Sequence, residues 1–542
     1  MAAGTASGAG PVSDLAPAGS GSRPGERGDA VPGPAASASG EDARSPVDAA
    51  GGPGRWRRRH PRSPEVILVV AFAVSRIVAA SVGVRFDAGV LDGTVNTDMW
   101  QLLDVRLLKD QLVQSVWHLN SQPPLFNLYG GLLLKLPAGW QQPVEVVAAL
   151  VLGLVIVLCT YRLLVELGVH EVVALVVTLV CVVASPSYLL YENWLNYAYP
   201  TAACGVFGAW CLVRYLRTHR ARFGLGFFSA YAIMVLLNST YQIEWLLLAG
   251  AVVLVALRHR WRQVVAVAAV PLVVVLTWYV KDAAMFGTTT TSSWLGMNLA
   301  RDVLYKAPPS EIAQLQRDGT MSPLASVPAF GGPGAYVPKF VRARPSSIAA
   351  LGALTKADGA TNFNNPIYIS VSSRYLHDDI AFIRAHPSDY AADVGDSIQV
   401  WLVSADQNFT NSADWPHLRT YAKVYDHLVE WQPATDPAPA LVLFRHTPSP
   451  LSWLSLQAVA VYALALVGAP VLAWRRRRSD PATAATMAVC WWTTLYAFAA
   501  SSLVEIGENE RFRFELGPVP LILATVVVTS VVRARWPQRT PH

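Results

Sequence analysis

The sequence predicts an all-α polytopic membrane protein of about ten transmembrane helices, and three observations predict it. Hydrophobic residues make up 53% of the 542 and charged residues only 15%, whereas soluble domains carry about a quarter charged residues. Mean hydropathy is +0.33, and the excess lies in blocks approaching the roughly 20 residues a bilayer requires. The arginines, finally, cluster at the ends of those blocks, which is how cytoplasmic loops are marked. The net charge of +6 is therefore a mark of topology, and nucleic acid is not an expected partner.

Residues 1–64 are rich in Ala, Gly, Ser and Pro. They bury too little apolar surface to offset chain entropy and read as a disordered cytoplasmic tail. The tail ends in Arg55, Arg57, Arg58, Arg59 and Arg62, which predict an N-terminus held inside. The first span covers about 66–84 and contains Arg76, whose simplest role is an interhelical ion pair. A polar loop follows over 85–143, and its apolar piece 124–136, opened by Pro123-Pro124, is too short to span and reads as interfacial or re-entrant.

Spans two to seven are expected at about 145–161, 172–186, 198–213, 223–237, 243–257 and 264–280. Residues 65–280 thus form the first membrane unit, and 281–452 form an external region of mixed secondary structure between spans seven and eight. Spans eight to ten lie at about 454–474, 482–503 and 518–532, within 453–535, before a short cytoplasmic tail at 536–542. With ten spans, every arginine cluster at a span end falls inside, including Arg214 to Arg222, Arg258 to Arg262, Arg475 to Arg478, and Arg533 with Arg535. The loop 85–143, the turns at 188–197 and 501–513, and the long region share the outer face. A span at 124–136 would invert this order and export the clusters. The expected location is the cell membrane, multi-pass, with both termini cytoplasmic.

The five cysteines all lie in apolar blocks without a C-x-x-C pair. They read as small hydrophobes rather than a disulfide or zinc framework. No Walker A, Rossmann, zincin or nucleophile-elbow pattern occurs, so nothing points to an ATP-driven pump.

Candidate chemistry gathers on the outer face. Asp98 begins a helical stretch containing Leu102, Leu103, Leu107 and Leu108, with Asp104 inside it, and His118 and Gln122 precede the double proline. Asp98 reads equally as an N-cap or as a working carboxylate. Glu192 stands among Tyr188, Tyr191, Trp194, Tyr197 and Tyr199; a carboxylate at membrane depth requires a partner or a function. Arg511 and Arg513, beside Glu508 and Glu510, break the inside-positive pattern. They form either a salt-bridged turn or a phosphate clamp suited to guanidinium geometry. Asn238-Ser239-Thr240 matches a glycosylation acceptor, a pattern common by chance. In the external region, N-F-N-N-P (362–366) and H-P-S-D-Y (386–390) read either as site chemistry or as loop chemistry.

Asp98 in T-D-M-W, Gln122-Pro-Pro-Leu-Phe-Asn-Leu128, Tyr191-Glu192-Asn193 and Glu510-Arg-Phe-Arg-Phe514, in that order and on one face, resemble the GT-C superfamily of integral membrane glycosyltransferases. The nearest flavour is the bacterial branch related to protein O-mannosyltransferases and lipid A aminoarabinose transferases. The resemblance covers roughly 66–280 and the last three spans. It implies a polyprenyl-phosphate sugar donor within membrane lipid, a glycan, lipid or protein acceptor, and Asp98 as general base. It further implies that Arg511 and Arg513 bind the donor phosphate, that Glu192, His118 and Gln122 position substrate, and that a divalent cation is a candidate cofactor. Asp104 and Glu510 complete the expected substrate contacts. Many relatives carry two adjacent acids in the first loop; here Met99 follows Asp98, leaving Asp104, Asp92 or Asp87 as substitutes. The long region also sits between spans rather than at the C-terminus. The competing readings are a transporter or flippase of lipid-linked saccharide, and a non-catalytic scaffold with an external binding domain.

Overall fold

Helices dominate the computed structural model, which describes residues 64–86, 99–342, 346–410, 412–433 and 454–536. Among these residues the β contacts are two isolated bridges, Thr355 with Thr361 and Val403 with Leu454. The arginine-rich tail, Asp87, Asp92 and Asp98 lie outside the described residues.

The apolar blocks become helices with apolar outer faces. Helix α1 (Pro64–Ser81) buries Leu68, Phe72 and Ala79 and exposes Val66, Ile67, Val70, Val74, Ile77 and Val78. Water disfavours such a face, and lipid tails accept it. The first loop is built of α2 (Val105–Asp110) and α3 (Leu112–Trp117), followed by α4 (Pro124–Leu134), which starts at the double proline because proline suits the first helical turn. Helix α5 (Ala138–Glu166) begins seven residues before its apolar block, since polar first turns continue a helix past the apolar zone that hydropathy detects.

Helix α6 (Glu171–Val183) ends in a π-turn, and the chain bends by 55° into α7 (Pro186–Glu192). Proline at the start of α7 cannot continue the hydrogen-bond ladder. Helices α8 (Ala198–Thr218) and α9 (Ala221–Leu237) pack closely: a Cβ at Gly208 would lie 2.7 Å from the Tyr231 ring, and one at Gly224 2.9 Å from that of Tyr215. Small residues admit such contacts between membrane helices. Helices α10 (Ile243–Ala256) and α11 (Trp261–Phe286) follow, the latter ended by Gly287 at φ +72°.

The region after α11 was expected to be mixed. Its described part is instead helical: α12 (Leu295–Val303), α13 (Pro309–Arg317), α14 (Ile367–Ala385), α15 (Pro387–Trp401) and α16 (Trp415–Leu428). Prolines at 309, 387 and 416 stand in helix first turns, where the missing N–H costs nothing. Two further long helices, α17 (Leu456–Arg476) and α18 (Pro481–Val504), precede α19 (Asn509–Glu515), bent by 68° from α20 (Val519–Arg535). Asp480 caps α18 by accepting from the Thr483 amide.

Each expected span coincides with a helix. Five are long and apolar enough to cross a membrane: α1, α5, Arg258–Phe286 containing α11, α17 and α18, or seven if each bent pair counts once. Helices α9 and α10 are shorter, at 17 and 14 residues. The architecture is that of an all-α membrane protein.

The basic helix ends converge. Arg214 and Arg217 at the end of α8 reach Glu166 at the end of α5 (2.9 and 2.7 Å), Arg476 of α17 donates to Ser530 of α20 (2.8 Å), and Arg533 donates to the Gly168 carbonyl (2.7 Å). One end of the bundle is thus lined with arginine, as the charge pattern predicts.

Candidate functional site

Buried asparagines assemble the other end. Asn127, inside the P-P-L-F-N-L motif, accepts from the Leu103 amide (2.7 Å) and donates to the Gln101 carbonyl (3.0 Å). It therefore pins the backbone that follows Met99. From the external region, Asn364 donates to the Leu102 carbonyl (2.9 Å) and accepts from the Ser121 hydroxyl (2.5 Å). Asn362 and Asn365 bond the carbonyls of 350–353, and Phe363 packs on Trp100 with ring centroids 4.6 Å apart. The N-F-N-N-P motif is therefore the clasp between external region and first loop. The amide and hydroxyl of Ser293 bond Asn120 (3.0 and 3.1 Å), adding a second clasp. Each satisfies groups whose burial would otherwise be costly.

These clasps enclose two adjoining cavities. One, of ≈ 510 Å³, is walled by aromatic residues including Trp100, Trp194, Tyr305 and Phe330. The other, of ≈ 320 Å³, is lined by hydroxyl and amide groups, among them Gln122, Ser239, Thr240, Gln242, Ser292 and Asn298. Trp100, Gln101, Arg301, Phe330, Glu508 and Arg511 belong to both walls. Asn298, Arg301 and Tyr305 recur at three- and four-residue spacing, so one face of α12 and its exit supplies all three. Helix α12 is held by its approach to α14, where a Cβ at Gly296 would lie 2.0 Å from the Ser372 carbonyl oxygen and the Gly296 amide donates to the Ser372 hydroxyl (2.9 Å).

The shared wall is strongly charged. Arg511 donates through Nε and Nη2 to Glu508 Oε2 (2.9 and 2.5 Å), and through Nη1 to Tyr197 Oη (2.8 Å) and Glu515 Oε1 (2.9 Å). Arg301 donates to the Ile506 carbonyl (2.7 Å) and pairs with Glu505 (3.5 Å). Burial pushes the Glu505 carboxyl up to about 7, against the pull of Arg301. Burial also acts upward on Glu508, but Arg511 and Arg301 outweigh it and hold that carboxyl below the ordinary range. Glu508 is therefore ionised, and the larger cavity carries two guanidinium groups against one carboxylate among its described residues. Behind the wall Lys356 donates to the Met99 carbonyl (3.2 Å), and burial lowers its ammonium to about 8. Guanidinium groups held among carboxylates, beside aromatic faces and a hydroxyl-lined chamber, suit a ligand that is part polar and part apolar.

Of the expected site residues, Gln122 and Arg511 line the cavities. Asp98 lies outside the described residues, and Met99 after it lines the larger cavity. The others stand apart. Glu192 is bound to Arg76 (2.8 Å) and Tyr199 (2.6 Å) between helices, so its burial is answered by an ion pair. Asp104 caps α2 through the Arg106 amide (2.8 Å) and accepts from the Ala357 amide (2.7 Å). His118 ends α3, its ring on the Gln114 carbonyl (2.9 Å). Glu510 is buried and lines neither cavity. Arg513 points away from Arg511: it faces Glu430 (3.7 Å) and a separate cavity of ≈ 100 Å³. The two arginines are two residues apart on a helix, hence on nearly opposite sides, and cannot form one clamp.

Sequence reasoning missed Arg301, Tyr305 and Phe330. Arg301 carried a signal, being a cation in a region assigned to the outer face, as Arg511 is. Among the described residues, no group of three metal-ligating side chains lines either cavity. Comparison of the chain with protein-family models, curated proteins and solved structures finds no match in any of the three.

Proposed function

We propose that the chain is a ten-span, GT-C-like membrane glycosyltransferase, moving a sugar from a polyprenyl-phosphate donor to an acceptor on the extracytoplasmic face. The observation that carries this reading is the pair Arg301 and Arg511 in one wall, between an aromatic chamber and a hydroxyl-lined one. In this reading the guanidinium groups hold the donor phosphate and stabilise the charge that grows on it as the sugar leaves. The aromatic faces take the apolar faces of the sugar or the first prenyl units, and Gln122, Ser239 and Thr240 take its hydroxyls. Asp98 accepts the proton of the acceptor hydroxyl; its neighbour Met99 lies in the cavity wall. Arg301 replaces Arg513 in the donor site, and Glu192 becomes a structural residue. The arginine-lined end of the bundle is the cytoplasmic one, with both termini on that side.

The test is sugar transfer in membranes supplied with labelled polyprenyl-phosphate sugars, comparing the parent with Arg301→Ala and Trp100→Ala. Both variants should lose transfer while remaining folded, and full transfer in both would defeat the reading. The bent pairs α6–α7 and α19–α20 favour a second one, a transporter of lipid-linked saccharide, since many secondary transporters use broken helices. Proteoliposomes separate the two: a transporter moves the labelled lipid across the bilayer without breaking its sugar–phosphate bond.

A further inference from the structure

Away from both cavities, three side chains of the external helices converge. Glu311 lies in the first turn of α13, His386 at the corner between α14 and α15, and Asp389 in the first turn of α15. Their candidate ligand atoms all lie within 4.8 Å of one another. His386 Nδ1 is 3.5 Å from Glu311 Oε2 and 3.7 Å from Asp389 Oδ2. Those separations exceed a hydrogen bond. They come close to the edge of a tetrahedron around zinc, about 3.3–3.4 Å when the metal–ligand bonds are about 2.0–2.1 Å.

Neighbouring contacts hold two of these side chains in place. Ser388 donates to Asp389 Oδ1 (3.3 Å), leaving Oδ2 to face the histidine. The His386 ring stacks on Phe382 at 4.7 Å, which fixes the plane of its nitrogen. Glu311 Oε2 is itself buried and has no hydrogen-bond partner, although the side chain as a whole is 34% exposed. A buried carboxylate oxygen 3.5 Å from an imidazole nitrogen, with no hydrogen bond of its own, is open to a cation shared with that nitrogen. Supporting contacts of this kind fix ligand orientation in metal sites.

We propose that Glu311, His386 and Asp389 bind a divalent transition ion of the zinc class. Two carboxylate oxygens and one imidazole nitrogen make a borderline-hard set that suits such ions better than calcium or magnesium, which prefer all-oxygen shells. Three protein ligands leave a fourth position for water or an external group. The ion ties the start of α13 to the α14–α15 corner, so its binding stiffens the region that clasps the first loop. This site is independent of the glycosyltransferase reading.

The experiment uses the full chain purified in detergent without a histidine tag. Zinc is titrated by calorimetry and bound metal is counted after dialysis, for the parent, His386→Ala, Asp389→Asn and Glu311→Gln. The parent should bind one equivalent and gain thermal stability with zinc. Loss of a direct ligand should exceed the 10–100-fold cost typical of a supporting contact, so binding should weaken by more than about 100-fold in the first two variants. Asp389→Asn keeps the shape of the corner and serves if His386→Ala does not fold. Equal zinc binding in parent and variants, or none in the parent, overturns the proposal.

Discussion

Arg76 in α1 and Glu192 at the end of α7 form a two-pronged ion pair. Nη2 lies 2.8 Å from Oε2, Nε lies 3.1 Å from both carboxylate oxygens, and Nη1 reaches the Val183 carbonyl (3.1 Å). The guanidinium also sits over Phe72 at 4.0 Å, and Tyr199 of α8 donates to the same Glu192 oxygen. An arginine inside the first apolar block and a carboxylate at the outer end of the third answer each other.

Breaking this pair on one side should be costly. Arg76→Ala and Glu192→Gln are each expected to destabilise the protein by about 3–5 kcal/mol, because a lone buried charge remains. Removing both partners should cost less than the sum. Thermal unfolding of the detergent-purified protein checks this; additive losses would mean that the residues act separately.

Gly153 of α5 leaves room for that network. A Cβ there would meet Tyr199 Oη at 2.6 Å, Phe72 at 2.7 Å and Glu192 Oε2 at 2.8 Å. Gly153→Val should therefore destabilise by about 1–3 kcal/mol through overpacking, read as a lowered melting temperature. Gly139, with nothing near its Cβ position, is the control.

The asparagine clasps should matter to the first loop more than to the bundle. Asn127→Ala and Asn364→Ala each leave buried backbone groups without partners, at about 1–3 kcal/mol per group. Limited proteolysis should show faster cleavage in 99–122, with the membrane helices unaffected. Unchanged cleavage would count against the clasp.

Stability in the external helices should fall as pH rises. Asp302 and Asp379 are fully buried, with no hydrogen-bond partner for any of their four carboxyl oxygens. Burial pushes Asp379 up to about 9, helped by Asp378 and Asp302, and Asp302 up to about 7 against the pull of Lys306. Both folded values exceed the unfolded one, so between about pH 4 and these values the folded state holds protons that the unfolded chain has released. Stability therefore decreases with rising pH over that window, ending near 7 for Asp302 and near 9 for Asp379. The slope is at most about 1.4 kcal/mol per unit per proton. Unfolding at pH 5.5 and 8.5 should show the loss, and Asp379→Asn should flatten it. An equal slope in the variant would contradict the assignment.

The membrane helices were legible because apolar length and arginine clustering are local properties, and each expected block falls on a helix. Their true ends were not: α5 starts at 138, since its first turns are polar yet helical. The break at Ser185–Pro186 shows in the sequence as a proline, which marks the end of the third span and does not by itself reveal the short helix beyond it. Site residues were harder, because a wall such as Trp100, Arg301, Phe330 and Arg511 forms from successive segments 29 to 201 residues apart in the chain. Arg511 stood out by breaking the charge rule. Arg513 broke it equally, and only the helical turn of α19 shows that the two face apart. Glu192 stands out in the sequence because burying a carboxylate is costly. Its answer was a partner rather than a reaction.

A transferase of this kind needs Asp98 to take the acceptor's proton and Arg301 with Arg511 to hold the donor phosphate. The most direct measurement is transfer of labelled sugar from polyprenyl phosphate by the purified, reconstituted chain, comparing the parent with Asp98→Asn and Arg511→Lys. The expected result is transfer by the parent, loss by Asp98→Asn, and a fall of about 10²-fold or more in kcat for Arg511→Lys, which keeps the charge and loses the fork. Undiminished transfer by both variants, or none by the parent with any polyprenyl-phosphate sugar, would contradict it.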